Sequence, residues 1–206
     1  YTISEDAVAG YTTTYQGYNV TNSYTPGKTT VTVTKAWEDN GDQDGIRPND
    51  ITVTLLADGQ DTGRELVLSE GNSWTGTFSD LDEYKAGVKI DYSVEEVSVS
   101  GYQTVISGDA ATGYTITNSH TPETIDIAGA KTWDDGNDQD GKRPESITIR
   151  LYADGQEVSG SAQTVTAGDN WSWNFEDLPK YQNGEEIIYT ISEDAVAGYT
   201  TTYQGY

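Results

Sequence analysis

The chain has 206 residues, with 34 acidic and 11 basic side chains and a formal charge of −23. So negative a surface repels phosphate and argues against a nucleic-acid reader, and no apolar run is long enough for membrane insertion in this segment. The absence of Cys excludes disulfides, thiolate catalysis and Cys-ligated metals, and one His (His120) leaves no poly-His metal site.

Residues 1–26 run into NVTNSYTP and read as closing strands. Beyond them Val31, Val33, Lys35 and Trp37 share one parity, and Ile51, Val53, Leu55 and Ala57 do the same. Trp74, Gly76 and Phe78 follow, then Ile90, Tyr92, Val94 and Glu96, and last Tyr114, Ile116 and Asn118. Each run is short, alternates with polar residues and is bounded by Gly, Asn, Asp or Pro. Six or seven such strands in about 95 residues predict an antiparallel β-sandwich of immunoglobulin-like type. Ile125, Ile127, Lys131 and Trp133, and then Tyr189, Ile191 and Glu193, repeat the pattern downstream. The reading is all-β, with no convincing helical period anywhere.

The order repeats because the sequence does. Residues 1–18, YTISEDAVAGYTTTYQGY, recur letter for letter at 189–206. A diverged repeat of about half that period lies inside: VTKAWEDNGDQDGIRPNDITVTLLADGQ (33–60) matches AGAKTWDDGNDQDGKRPESITIRLYADGQ (128–156). IDYSVEE (90–96) matches IIYTISE (187–193), and TITNSHTP (115–122) matches NVTNSYTP (19–26). We therefore expect residues 1–26 to be the C-terminal strands of a preceding repeat. Residues 27–122 then form a complete domain, and residues 123–206 a second domain lacking its last strand, whose expected sequence is NVTNSYTP. Tandem units of this size suggest an array of beads rather than a solenoid, taken from a longer protein. The short Pro-containing junctions TPGK and TPET predict stiff coupling.

The exceptions to the apolar pattern carry the chemistry. Lys35, Glu96 and Asn118 occupy core-facing positions on three different strands, although Lys and Glu are almost never fully buried unless paired. Lys131 and Glu193 repeat the arrangement downstream, as do Glu5 and Asn22 in the leading segment. Lys and Glu are 61 and 62 residues apart; Glu and Asn are 22 and 17 apart. One reading is a buried Lys–Glu ion pair with a hydrogen-bonded Asn, although desolvation usually outweighs the attraction in such a pair. The other is chemical. A buried amine is deprotonated more easily and becomes nucleophilic, a buried carboxyl can shuttle protons, and a carboxamide offers an electrophilic carbon. Together they could form an intramolecular isopeptide bond.

The runs VTKAW and GAKTW, the stretch DQDGIRPNDITVTLLADGQ, the strands YSVEE and YTISE and the terminal TITNSHTP resemble the Cna B-type (CnaB) repeat. That repeat forms stalks of Gram-positive surface adhesins and pilins, and the resemblance covers essentially the whole chain. It implies a spontaneous bond between first-strand Lys and last-strand Asn, assisted by the Glu of the YxxxE strand. Carried over by position, the set is Lys35, Asn118 and Glu96. Glu96 is preferred to Glu95 by its alignment with YTISE and by its inward parity. Lys131 and Glu193 match in the second domain, with the Asn beyond residue 206; Glu5 and Asn22 match in the leading segment, with the Lys upstream. The resemblance implies an extracellular stalk or spacer at the cell wall, resistant to force and proteolysis, with no cofactor and no enzymatic turnover beyond one autocatalytic event.

Other readings compete with it. Asp39, Asp42 and Asp44 are a minor candidate for a calcium site, although Ile51 stands where a calcium loop needs its bidentate Glu. Exposed Tyr residues in GYTTTYQGY could bind a host matrix protein or glycan directly. His120, in the segment NSHTP, has no visible nucleophile–base set around it. Adjacent repeats of the same protein are the expected partners. Asn22 of one molecule and Lys131 of another are candidates for head-to-tail self-association.

Overall fold

The computed structural model describes residues 1–205. The chain divides into two compact units, one of residues 1–36 and 48–118, the other of residues 37–47 and 119–206. The strands up to the unit boundary are β1 (Thr12–Gln16), β2 (Asn19–Ser23), β3 (Lys28–Glu38), β4 (Asp50–Ala57), β5 (Gln60–Ser69), β6 (Thr75–Asp82), β7 (Tyr84–Lys85), β8 (Val88–Lys89), β9 (Tyr92–Glu96), β10 (Gln103–Asp109) and β11 (Gly113–Ser119). Those that follow are β12 (Thr124–Ala130), β13 (Ser146–Ala153), β14 (Gln156–Glu157), β15 (Gln163–Thr166), β16 (Ser172–Pro179), β17 (Tyr181–Gln182), β18 (Glu185–Glu186) and β19 (Tyr189–Glu193).

Each unit is an antiparallel sandwich of the immunoglobulin-like type that the strand pattern predicts. In the first unit the sheet β10-β11-β3-β6 faces the sheet β5-β4-β9, with the hairpin β1-β2 forming a separate pair. Alternation in β3 sends Val31, Val33 and Lys35 inward, where they meet Val53, Leu55, Leu68, Phe78 and Ile116. Burying an aliphatic or Phe side chain contributes about 1.5–3 kcal/mol, so this inner face supplies most of the driving force. The second unit builds its core from Ile127, Ile147, Ile149, Leu151, Val165, Phe175 and Tyr189. There β12 pairs with β16, while β13 pairs with β14, β15 and β19.

Local chemistry fixes the corners. Asp58 and Gly59 have φ of 50° and 73°, and Asp154 and Gly155 have φ of 49° and 79°. Asp-Gly tolerates positive φ at both central positions, as the tight hairpin turn requires, and so the ADGQ repeat starts β5 and β14. A second corner was not legible as such. Single 3₁₀ turns at Glu70–Asn72 and Ala167–Asp169 are each followed by two left-handed residues, the second being Trp74 or Trp171, both at φ 57°. A bulky residue at positive φ is an outlier that persists only where its surroundings demand it. The demand here comes from the neighbouring strand: the Trp74 carbonyl accepts the Lys35 N–H at 2.8 Å, and the Trp171 carbonyl accepts the Lys131 N–H at 2.8 Å.

The two cores solve one packing problem in opposite ways. Val33 lies opposite Gly76 in the β3–β6 register, whereas Gly129 lies opposite Trp173 in β12–β16. A Cβ on Gly129 would sit 2.5 Å from the Trp173 ring, so the glycine makes room for the indole. Gly129→Val should therefore destabilise the second unit by about 1–3 kcal/mol, and adding Trp173→Gly should recover part of that loss. Urea denaturation of both variants tests this, since simple additivity would show that the pair is not coupled.

Candidate functional site

The site grows from the alternation of β3. With Val31 and Val33 inside, Lys35 must also point inward, and its backbone N–H is held by Trp74. Its side chain is 0% exposed and that of Glu96 1%. The Lys35 Nζ donates to the Ala36 carbonyl at 3.0 Å and the Ile116 carbonyl at 3.4 Å, and lies 3.6 Å from Glu96 Oε1. Asn118, fully buried on β11, donates from Nδ2 to the same Glu96 Oε1 at 3.2 Å. Its Oδ1 has no hydrogen-bond partner. One carboxylate oxygen thus faces both an amine and a carboxamide, all three side chains being shielded from bulk solvent.

The second unit holds part of the same set. Lys131 Nζ donates to Glu193 Oε2 at 2.8 Å, and Glu193 is 2% exposed. The amine also lies 4.9 Å from the centroid of the Trp133 ring, a distance at which a cation is attracted to the ring face. Beside them opens a cavity of about 470 Å³ whose lining includes Lys131, Trp133, Trp173, Ile191, Glu193 and Tyr203, but no asparagine. Glu193 Oε1 is buried there without a partner. In the leading segment Asn22 Nδ2 donates to Glu5 Oε1 at 3.0 Å, with both residues exposed.

A threonine belongs to each set and was missed in the sequence. Thr104 Oγ1 donates to Glu96 Oε2 at 2.8 Å, Thr201 Oγ1 to Glu193 Oε2 at 2.7 Å, and Thr13 Oγ1 to Glu5 Oε2 at 3.3 Å. The signal was present: Gly-Tyr-X-Thr recurs at 10–13, 101–104 and 198–201, its Thr eight residues after each Glu. In the first unit the hydroxyl holds Oε2 and leaves Oε1 facing Lys35 and Asn118, whereas in the second Thr201 and Lys131 share Glu193 Oε2.

The acidic loops are closed by arginine. Arg47 bonds Asp39 through Nε at 2.9 Å and through Nη2, and its N–H donates to Asp42 Oδ1 at 2.9 Å. Asp44 Oδ2 accepts the Glu123 N–H at 2.8 Å and lies 2.9 Å from His120 Nε2. The three carboxylates singled out as a calcium candidate thus meet protein donors, and no group of three or more His, Cys, Asp or Glu suited to a metal occurs among the described residues. The second unit repeats the lock: Arg143 bonds Asp135 at 2.9 and 2.7 Å and lies 5.4 Å from the Trp133 ring. Tyr199 Oη donates to Asp135 at 3.0 Å, and the Tyr199 and Trp133 rings meet edge-on at 5.0 Å. The lock therefore fixes the tryptophan beside Lys131 and the tyrosine that precedes Thr201. Hydrogen bonds from Arg143 hold the Asp135 carboxyl well below the usual carboxylate range, and burial raises the Tyr199 phenol.

The family model described as Cna protein B-type domain matches residues 31–119 and 127–206. A collagen adhesin of Staphylococcus aureus is 48% identical over 206 residues, which is 100% of this chain and 17% of that protein. The crystal structure of two B repeat units (B1B2) of the collagen binding protein (CNA) of Staphylococcus aureus is similar at a TM-score of 0.80 and 46% identity. That match covers 97% of this chain and 53% of the other. The chain thus spans a small part of the curated relative and about half of the solved structure.

Asp135 makes the second unit acid-sensitive in a defined window. Because its pKa is lower folded than unfolded, its stabilisation is complete above the unfolded value of about 3.9 and fades as pH falls below it. Urea melts followed by Trp fluorescence should show Asp135→Asn less stable than the wild type at neutral pH. The gap should narrow progressively as pH falls below about 4; a gap independent of pH would contradict this account.

Proposed function

The chain belongs to the Cna protein B-type domain family, and from that premise we propose that it is a stalk or spacer repeat of a bacterial surface adhesin or fibre, locked by a Lys35–Asn118 isopeptide bond. The observation that carries this reading is the shared contact of Glu96 Oε1 with Lys35 and Asn118. Glu96 takes a proton from the Lys35 amine, and the freed nitrogen attacks Asn118 Cγ. The Cγ–Nδ2 bond then breaks, and Glu96 returns the proton to the departing nitrogen, which leaves as ammonia. Thr104 is a positioning residue that keeps the carboxylate turned toward both reactants. The reaction runs once and needs neither cofactor nor oxidant, which suits an extracellular protein without cysteine.

The bond would join β3 to β11 and close a loop of about 80 residues, which by the chain-entropy model stabilises by on the order of 4–5 kcal/mol. Its mechanical effect is larger. The first sandwich is entered near Lys28 and left near Pro122, so a pull between those points runs through the crosslink and bypasses the rest of the sandwich. Residues 27–122 are accordingly one mechanical element, and adjacent repeats of the parent are its neighbours. At the cell surface such an element holds a binding tip away from the wall.

Intact mass of the denatured protein tests the bond. The expected deficit is about 17 Da, one ammonia, abolished by Lys35→Ala and by Glu96→Ala. Folded protein with an unshifted mass would overturn the crosslink. Thr104→Val should slow the appearance of the deficit without preventing it; an unchanged rate would remove Thr104 from the mechanism.

A second reading is favoured by the names of the two relatives, a collagen adhesin and a collagen binding protein. The exposed Tyr11, Tyr15 and Tyr18 would then contact a host matrix protein directly. Surface binding of the 206-residue chain to immobilised collagen separates the readings, because a pure spacer gives no saturable signal.

A further inference from the structure

The first sandwich has four edge strands, β6 and β10 in one sheet and β5 and β9 in the other. An edge strand presents unpaired N–H and C=O groups, and proteins discourage strand addition there with charges, bulges or short strands. Three of the four edges carry such guards. β5 has Asp61, Arg64 and Glu65. β6 has Asp80 and Asp82, and its register with β3 shifts between Thr29 and Val31. β9 is five residues long and ends in Glu95 and Glu96. β10 is the exception: residues 104–107 read TVIS, with neither charge nor Pro. Its one acidic residue, Asp109, is turned into the corner, where Oδ1 accepts the N–H groups of Ala111 and Thr112 and the Thr112 hydroxyl. All seven residues of β10 are exposed, Val105 at 63% and Ile106 at 38%. Among the described residues the strand pairs only with β11.

We propose that the edge of β10 is a strand-addition site for an extended segment of a partner protein, one with β-branched residues at alternate positions and Lys or Arg at its flanks. In such docking the main-chain hydrogen bonds supply affinity and the alternate side chains supply specificity. Val105 and Ile106 are adjacent in the strand and so face opposite sides of the sheet. Each face of an added strand therefore finds one exposed apolar neighbour to pack against. Charge selects the flanks. No Lys or Arg occurs between Lys89 and Lys131. The Thr104 hydroxyl bonds Glu96, so β10 begins beside the end of β9, where Glu95 is exposed. Asp109 closes the other end. A carboxylate thus stands near each end of TVIS, and no cation of this stretch competes for it.

The same charge argues against a second copy of the chain as the occupant. Pairing β10 with β10 would bring two bodies of formal charge −23 together along their cation-free sides. The site is independent of the lysine–asparagine chemistry, since Lys35 and Asn118 lie on β3 and β11 and face the core.

The test is titration of the synthetic peptide KTVTVTVK into the 206-residue chain, followed by backbone amide NMR. The expected result is a saturable set of shifts confined to β10 and its neighbour β11, with slower hydrogen exchange of the β10 amides. Binding should weaken at high salt, which screens the flanking charges. Val105→Lys places on the edge the charge it lacks and should weaken binding by at least about tenfold. Because Val105 is exposed, the variant should unfold at the wild-type temperature, which separates a blocked edge from a damaged fold. The same peptide with its backbone nitrogens methylated should not bind, since it cannot extend the sheet. Equal binding of the methylated peptide would mean attraction by charge alone and would overturn the proposal. So would equal binding of the charge-reversed peptide ETVTVTVE, shifts centred on Tyr11, Tyr15 and Tyr18, two chains pairing through β10 in place of the peptide, or no saturation at millimolar peptide.

Discussion

Glu96 divides one carboxylate oxygen between a lysine amine and an asparagine amide inside the first sandwich, and the rest of that sandwich is arranged to tolerate it. Ions removed from water lose several kcal/mol of hydration each, so every neighbour with a lone pair or a proton matters. The carbonyls of Ala36 and Ile116 receive the amine, and the Thr104 hydroxyl occupies the second carboxylate oxygen. The Trp74 turn takes an unfavourable backbone conformation to hold the Lys35 N–H. An all-aliphatic replacement of the same volume would pack with less risk. The Lys, Glu and Thr of this set recur at equivalent positions in the second unit.

The strand pattern was legible because it rests on period-two burial, and every inward residue of β3, β4 and β9 was visible in the alternation. Lys35, Glu96 and Asn118 stood out for the same reason, as polar residues in apolar parity. What escaped notice depended on contacts rather than on periodicity. Thr104 is an ordinary polar residue on an exposed strand, and only its distance to Glu96 gives it a role. Trp74 read as a core aromatic, and nothing in its side chain advertises a left-handed backbone. The division of the chain also depends on contact: residues 37–47 are the end of β3 and the loop after it, yet they cluster with residues 119–206 through bonds such as Asp44 to the Glu123 N–H.

The DQDG loops show how an acidic chain uses few cations. With 34 acidic and 11 basic side chains, most carboxylates find no positive partner. Two of the four arginines, Arg47 and Arg143, each close a loop and cover a tryptophan with one guanidinium. The remaining negative charge lies in solvent, where it keeps chains apart and in solution.

The reversed Val–Gly and Gly–Trp pairs bear on how two similar units of one chain avoid exchanging strands as they fold. Neighbouring repeats of similar sequence are prone to form strands with one another's halves while still unfolded. If β3 paired with β16, Val33 would collide with Trp173; if β12 paired with β6, Gly129 would face Gly76 across a hole. Either hybrid is penalised by volume alone, before any difference in charge or loop length acts. Each unit thus carries a steric password in its core, written differently in the other. Only residues 1–18 and 189–206 share a sequence, and there side-chain volume offers no discrimination.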